Sequence, residues 1–228
     1  MPIRVIITGA TGMVGEGVLL ECLAHPAVEE VLLVGRKTFG RTHPKLKELL
    51  VADFMDLDGV RDQLGGYDGC FYCAGVSSVG MKEDEYTRVT YDVTLHFAEV
   101  LAGLNPQMVF DYVSGAGTDS SEKGRVMWAR VKGRTENALT RLGFRGVYNF
   151  RPGYIGATEG QQNVMSAYKY YAWMIPLLYR VLPNQGCTMR EIGLAMIHSV
   201  LRGYPKQVLE VRGIKALAAE EQGLEIRD

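Results

Sequence analysis

Cysteine and histidine are scarce, four of each in 228 residues. The histidines, at 25, 43, 96 and 198, share no ligand spacing, so no metal site is expected. The cysteines, Cys22, Cys70, Cys73 and Cys187, suit free thiols in a reducing compartment rather than a disulfide framework. Cys70 and Cys73 do form a CxxC, but inside the apolar run Cys70-Phe71-Tyr72-Cys73-Ala74. A strand turns residues three apart to opposite faces, whereas redox pairs open a helix, so both are expected in the core. No sign of charge dominates: 25 basic and 26 acidic residues are well mixed, which leaves no basic face for nucleic acid. Long apolar runs are missing too. The most apolar late stretch, residues 168–182, carries Lys169, Pro176 and Arg180 and is too short to span a bilayer. The chain enters a strand pattern at once, so no targeting segment is expected ahead of the fold. A cytoplasmic protein without nucleic-acid or membrane partners is the expectation.

What is present is enough apolar substance, 47% of the residues, to bury one proper core. Its organising stretch is Thr8-Gly9-Ala10-Thr11-Gly12-Met13-Val14-Gly15. Ile3, Val5, Ile6 and Ile7 before it are β-branched and suit a buried strand. Val14, Val18, Leu19 and Leu20 after it open a helix, expected over 14–24 and ending before Pro26. A dinucleotide pyrophosphate needs that order. Gly9 permits a tight turn, Gly12 lets main chain approach phosphate oxygens, and Gly15 lets the helix pack on the strand. The helix then aims its free N–H groups at the anion. Glycines serve ordinary strand-to-helix turns as well, but the strand before and the helix after favour the phosphate reading.

Residues 31–34 read as the second strand, followed by Gly35-Arg36-Lys37. Where NAD-preferring sites carry an acid for the ribose hydroxyls, two cations stand here. They would pair with a 2′-phosphate, which favours NADP over NAD; a solvated basic turn is the alternative. A third strand is expected over 49–52. Asp53 beyond it would accept from an adenine amino group, with Phe54 against the ring, unless Asp53 merely caps the next turn. A short helix at 60–64 precedes a fourth strand at 69–74, and Gly75 lets main chain approach the second ribose. Ser77-Ser78-Val79-Gly80 would line a substrate mouth. A long helix over 84–104 carries Val89, Val93, Phe97, Val100 and Leu101 on one stripe. A fifth strand over 108–113 ends at Ser114, a hydroxyl for a polarised carbonyl or a simple turn residue. Trp128 and Lys132 follow one helical turn apart and face the same way. A core aromatic beside a snorkelling lysine is the alternative there.

TGATGxxG after the first strand, Asp53-Phe54, Cys73-Ala74-Gly75, Ser114, Lys132 and Arg151-Pro152-Gly153 together resemble the short-chain dehydrogenase/reductase superfamily. The glycine spacing and the RPG turn are similar to its extended and atypical branches, the NAD(P)-dependent epimerase/dehydratase-like proteins. Residues 75–80 and Val131-Lys132-Gly133 resemble the oxidoreductase-like Tat-interacting protein group. The resemblance implies an α/β fold: a Rossmann doubly wound parallel sheet with helices on both faces and a small C-terminal helical substrate cap. It also implies a cofactor, NADP or alternatively NAD, held by Gly9, Thr11, Gly12, Met13, Val14, Gly15, Arg36, Lys37, Asp53, Phe54, Cys73, Ala74, Gly75, Lys132, Pro152 and Gly153. The family's catalytic set is Ser, Tyr and Lys, with an Asn from the long helix. Ser114 and Lys132 take the serine and lysine places. Trp128 stands at the tyrosine position and Thr90 at the asparagine position. Indole does not titrate, so Trp128 cannot serve as a general acid; Tyr112, Tyr154 and Tyr168 are candidate replacements.

A sixth strand is expected over 147–150. Residues 157–205 would form most of the cap of a single domain spanning 1–228, with a helix over 163–174, a segment from Pro176 to Arg180, and a helix over 189–201 capped by Thr188. Met165, Tyr168, Tyr171, Trp173 and Met174 would wall an apolar pocket, or serve as core or a dimer face. An edge strand over 208–211 and a helix over 214–221 would close the chain. The expected function is an NADP-binding oxidoreductase or epimerase-like enzyme on a small apolar carbonyl or hydroxyl compound, with a homodimer as one possible assembly. The alternative is a dinucleotide-binding sensor or interaction protein without turnover.

Overall fold

A computed structural model describes residues 1–158, 160–164 and 174–219. In chain order these form β1 (Ile3–Thr8), α1 (Met13–Ala24), β2 (Val28–Gly35), β3 (Leu46–Leu50), a 3₁₀ stretch (Asp58–Leu64) and β4 (Gly69–Tyr72). One helical stretch follows, made of α2 (Glu83–Thr87), a π-helical turn (Arg88–Asp92) and α3 (Val93–Leu104). Then come β5 (Val109–Val113), α4 (Met127–Leu139), β6 (Gly146–Arg151), β7 (Tyr154–Gly156), α5 (Ile175–Val181), β8 (Gly186–Thr188), α6 (Met189–Arg202), β9 (Val208–Glu210) and α7 (Val211–Ala219).

The main sheet runs β3-β2-β1-β4-β5-β6-β9, every neighbour parallel. This is the expected Rossmann fold, with its order reversing between β1 and β4, where such sheets open a crevice at the strands' carboxyl ends. Alternation along each strand feeds two cores. Val5, Ile7, Val31 and Leu33 pack with Val18 of α1 and Ile192 and Met196 of α6. Ile6, Leu32, Cys70 and Phe110 pack on the other face with Phe97 and Leu101 of α3 and Leu139 of α4. All four cysteines are free; Cys70 is fully buried, and Cys73 is half-buried just past the end of β4.

Several expectations shift. The third strand is Leu46–Leu50 rather than 49–52. It is an edge strand in register with Val31–Gly35, with Lys47, Glu48 and Leu50 in solvent, so the more apolar Leu49-Leu50-Val51-Ala52 run marks the exit from the strand. The fourth strand ends at Tyr72, two residues early. The helix over 189–202 is not part of a cap: Met189, Ile192, Ala195, Met196 and Ile197 are buried in the first core, against α1 and the sheet. Its Thr188 cap is as expected, a capping box with Glu191. The β7–β8 pair, a separate two-stranded parallel ribbon, was not legible in the sequence. Met165, Tyr168, Tyr171 and Trp173, and most of the helix expected over 163–174, lie outside the described residues. Met174 is exposed.

Candidate functional site

Two adjoining cavities occupy the crevice, and the exposed Val76 lines both. The first, about 570 Å³, lies over the turn between β1 and α1. Gly9 has φ +72° there, and a Cβ on it would stand 2.6 Å from the Ala74 nitrogen. A Cβ on Gly15 would run into the Gly9 carbonyl. The Gly12 N–H donates to that same carbonyl at 2.9 Å, closing the turn, and Gly12 caps α1 without a side chain. The first-turn N–H groups therefore face the crevice with no cap of the protein's own. Thr8 Oγ1 accepts from the Ala74 N–H at 3.2 Å, which locks the ends of β1 and β4 together.

Gly9, Thr11, Gly12, Arg36, Lys37, Asp53, Phe54, Cys73, Ala74 and Gly75 all line this cavity. Met13, Val14 and Gly15 form the first turn of α1 beside it. Arg36 and Lys37 are exposed. Asp53 combines both of its sequence readings: it borders the cavity, and its carboxylate caps the next turn by accepting from the Met55 N–H at 2.9 Å. Phe54 leans on Phe97, ring centres 5.4 Å apart. Val89 and Val93 also line the cavity, so the upper end of the long helix's apolar stripe serves the crevice and not the core.

Sequence reasoning missed how this cavity is held at its outer end. Glu16, in the first turn of α1, is fully buried. Its carboxylate accepts the Asn163 N–H at 2.6 Å and the Gln162 N–H at 2.9 Å, and Arg41 stands 3.5 Å away. Gln161 donates to the Met13 carbonyl at 2.7 Å, and Arg41 to the Gly160 carbonyl at 3.2 Å. A distant strap is thereby pinned to the glycine turn. Partners more than 110 residues apart leave no local mark in a sequence.

The second cavity, about 460 Å³, is lined by Ser77, Ser78, Tyr86, Ser114, Trp128, Lys132, Pro152 and Gly153 among others. Lys132 Nζ donates to the Ser114 carbonyl at 2.6 Å, and Ser114 Oγ to the Phe150 carbonyl at 3.2 Å. Burial pulls the Lys132 ammonium down to about 8, while Glu136, one turn along, pulls it back up. Gly153 is required where β7 meets the approach to β8, since a Cβ there would strike the Gln185 carbonyl. Arg151 before it is buried and paired with Glu136, and it donates to Ser120 Oγ at 2.6 Å, so the RPG turn and the loop after Ser114 hang on one guanidinium.

Of the candidate replacement tyrosines, Tyr112 and Tyr154 are not among the residues lining this cavity. Tyr112 is buried in the second core, its ring 6.1 Å from that of Tyr72. Tyr154 donates its hydroxyl to the Leu182 carbonyl at 2.7 Å and stacks near Tyr179. Tyr168 lies outside the described residues. Thr90, buried, sits in the π-helical turn.

Comparison with known proteins fits this geometry. The profile of the NAD dependent epimerase/dehydratase family matches residues 5–124, from the first strand through the loop after Ser114. The chain belongs to that family. Protein HTATIP2 of Rattus norvegicus is 32% identical over 151 residues, 65% of this chain; the match spans 61% of the rat protein's length. Protein fmp52, mitochondrial, of Emericella nidulans is 24% identical over 214 residues, 90% of each chain. Among solved structures, glucuronic acid dehydrogenase from Chromohalobacter salexigens superposes with a TM-score of 0.65 at 16% identity, over 92% of this chain and 76% of that one. The Bordetella bronchiseptica enzyme WbmF, solved with NAD+, gives 0.63 at 16% identity, over 99% of this chain and 80% of that one. At these identities the structural matches establish the fold. Among the described residues no helix is long and apolar enough to cross a membrane.

Proposed function

We propose that this chain binds NADP in the first cavity and reduces or epimerises a small, largely apolar carbonyl or hydroxyl compound in the second. The observation that carries the reading is the continuity of the two cavities through Val76, with a side-chain-free helix N-terminus at one end and Ser114 and Lys132 at the other. The residues present fit a dinucleotide: a Cβ at Gly9 or Gly15 would fill the cradle. Gly9, Gly12 and the first turn of α1 would hold the pyrophosphate, Arg36 and Lys37 a 2′-phosphate, and Lys132 the second ribose. Bound there, a nicotinamide supplies or accepts hydride. Ser114 would polarise the substrate carbonyl, turning its hydroxyl from the Phe150 carbonyl to do so. Structural neighbours solved in complex with NAD support a nicotinamide cofactor, and the paired cations support the phosphorylated form. The substrate's apolar character rests on the aromatic and methionine content of residues 165–174.

Titration calorimetry with NADPH, NADP, NADH and NAD tests this. Arg36→Ala is expected to weaken NADP(H) about tenfold and to leave NAD(H) unchanged, since one exposed charge-assisted contact is lost. No binding of any of the four would overturn the assignment. A second reading, a dinucleotide sensor without turnover, is favoured by Trp128 alone. Cytoplasmic residence remains part of the proposal; cell fractionation decides between it and the mitochondrial label carried by the fungal relative's name.

A further inference from the structure

Trp128 leaves the second cavity without the acid that hydride chemistry on a carbonyl needs, and its other donors already have work to do. Lys132 Nζ gives one of its three hydrogens to the Ser114 carbonyl and has the ribose to hold with the rest, and Ser114 has a single hydrogen, now on the Phe150 carbonyl, to offer a substrate oxygen. Trp128 offers an indole N–H, which does not ionise in water. One tyrosine is among the residues that line the cavity, Tyr86 on α2.

Its placement is held from both sides. Arg130, between Trp128 and Lys132 on α4, pairs with Glu83 of α2 at 2.6 Å. Arg134, one turn further, lies over the Tyr91 ring at 4.2 Å. These two clasps fix α2 and the π-helical turn against α4, and so set Tyr86 across from the Trp128–Lys132 face. Thr90, four residues on, stands beside the phenol. A π-helical turn inserted within a longer helix often marks a site where side chains have been re-aimed for function. Tyr86 is only 2% exposed, so its ring is immobilised.

We propose that Tyr86 is the proton-transferring phenol of this site, in place of a tyrosine at position 128. The proposal rests on the oxidoreductase reading above. In the reducing direction the carbonyl carbon accepts a hydride, with its two electrons, from the reduced nicotinamide dinucleotide. The C=O π pair moves onto oxygen. The Tyr86 O–H bond breaks as the new alcohol O–H forms, and solvent reprotonates the phenolate. Burial raises the Tyr86 phenol above its ordinary value, with Thr90 working against that rise. A phenol remains a far stronger acid than the alcohol formed when it protonates the alkoxide.

Tyrosine labelled with ¹³C at Cζ in the full chain tests the placement without any substrate. The Tyr86 resonance is the one lost in Tyr86→Phe, a change that keeps the ring and its packing. Without cofactor it should show an inflection near pH 8, where Lys132 across the cavity loses its charge, and Lys132→Met should abolish that inflection. Adding NADP should shift the same resonance. A Tyr86 signal indifferent to both Lys132 and NADP overturns the proposal. With NADPH and 4-nitrobenzaldehyde as probe, Tyr86→Phe should lower kcat about 100-fold at unchanged KM, the usual scale for losing a general acid. An unchanged kcat overturns the proposal as well. Failure of NADP to bind, or a wild type inert toward the probe, strikes the oxidoreductase reading instead. The cofactor-free titration then decides the placement of Tyr86.

Discussion

The two wings of the sheet meet at one ligand edge but build it from different materials. On the β1–β2–β3 wing the edge is largely main chain: the Gly9 turn, the Gly12 cap and the first turn of α1, over a core face of Val5, Ile7, Val31 and Leu33. On the β5–β6 wing the edge is side chains: Ser114, Trp128, Lys132 and, from across the cavity, Tyr86. Its supports are polar and buried as well, Glu136 with Arg151 and Asp111 with Ser199. A main-chain site tolerates few substitutions, because any Cβ in the wrong place fills it. A side-chain site can change one residue and draw its chemistry from another helix, as proposed for Tyr86.

The largest effect is expected on the first wing. Gly15→Ala drives a Cβ into the Gly9 carbonyl, and both partners are main chain, so neither can give way cheaply. We expect loss of dinucleotide binding by calorimetry and roughly 4 kcal/mol of destabilisation in urea melts. Retained NADP binding in this variant would break the contrast, since the cradle would then be adaptable. On the second wing, Glu136→Gln leaves the buried Arg151 guanidinium short of its main counter-charge. Removing one partner of a buried pair costs about 3 kcal/mol. Because the guanidinium also holds Ser120 and the RPG turn, the loss should be felt at Ser114 and Lys132. NADP affinity should fall by less than in Gly15→Ala, with the adenosine half of the site intact.

These wings also differ in how much of them could be read from residues alone. The glycine turn was legible because main-chain demands leave a compositional mark at fixed spacing. The Trp128–Lys132 face was legible because helical periodicity places residues four apart together. Tyr86 was not, because it meets that face only through packing of α2 on α4, clasped by Glu83–Arg130. Glu16 was hidden in the same way: as a lone acid in a helix's first turn it suits the dipole and needs no further account. Only the fold shows that it anchors residues 162 and 163. The third strand begins three residues before the apolar run because its pairing with Val31–Gly35 is main-chain contact that needs no apolar side chains; of Leu46–Leu50 only Leu49 is buried, so neither apolar content nor alternation marks it.

The last of the expected effects depends on a single ionisation and isolates the second wing's polar interior. Asp111 of β5 is fully buried, and one of its oxygens, Oδ1, has no hydrogen-bond partner among the described residues. Ser199 Oγ lies 2.7 Å from Asp111 Oδ2 and 2.6 Å from the Met196 carbonyl. A hydroxyl has one hydrogen. Both contacts are satisfied when Ser199 donates to Met196 and accepts from a protonated Asp111. Burial, the dominant influence, pushes the carboxyl well above its ordinary value, which agrees with a neutral acid. The folded protein then holds a proton that the unfolded chain releases above about pH 4. Folding stability should therefore fall as pH rises from there to the native pKa, by at most about 1.4 kcal/mol per pH unit from this group. Asp111→Asn carries the same shape without the ionisation. Its urea melts should match the wild type near pH 4 and become progressively more stable than the wild type toward neutrality. Parallel pH profiles for the two proteins would mean that Asp111 is ionised and partnered, and the second wing would then tolerate a buried charge that its Ser199 contact alone does not explain.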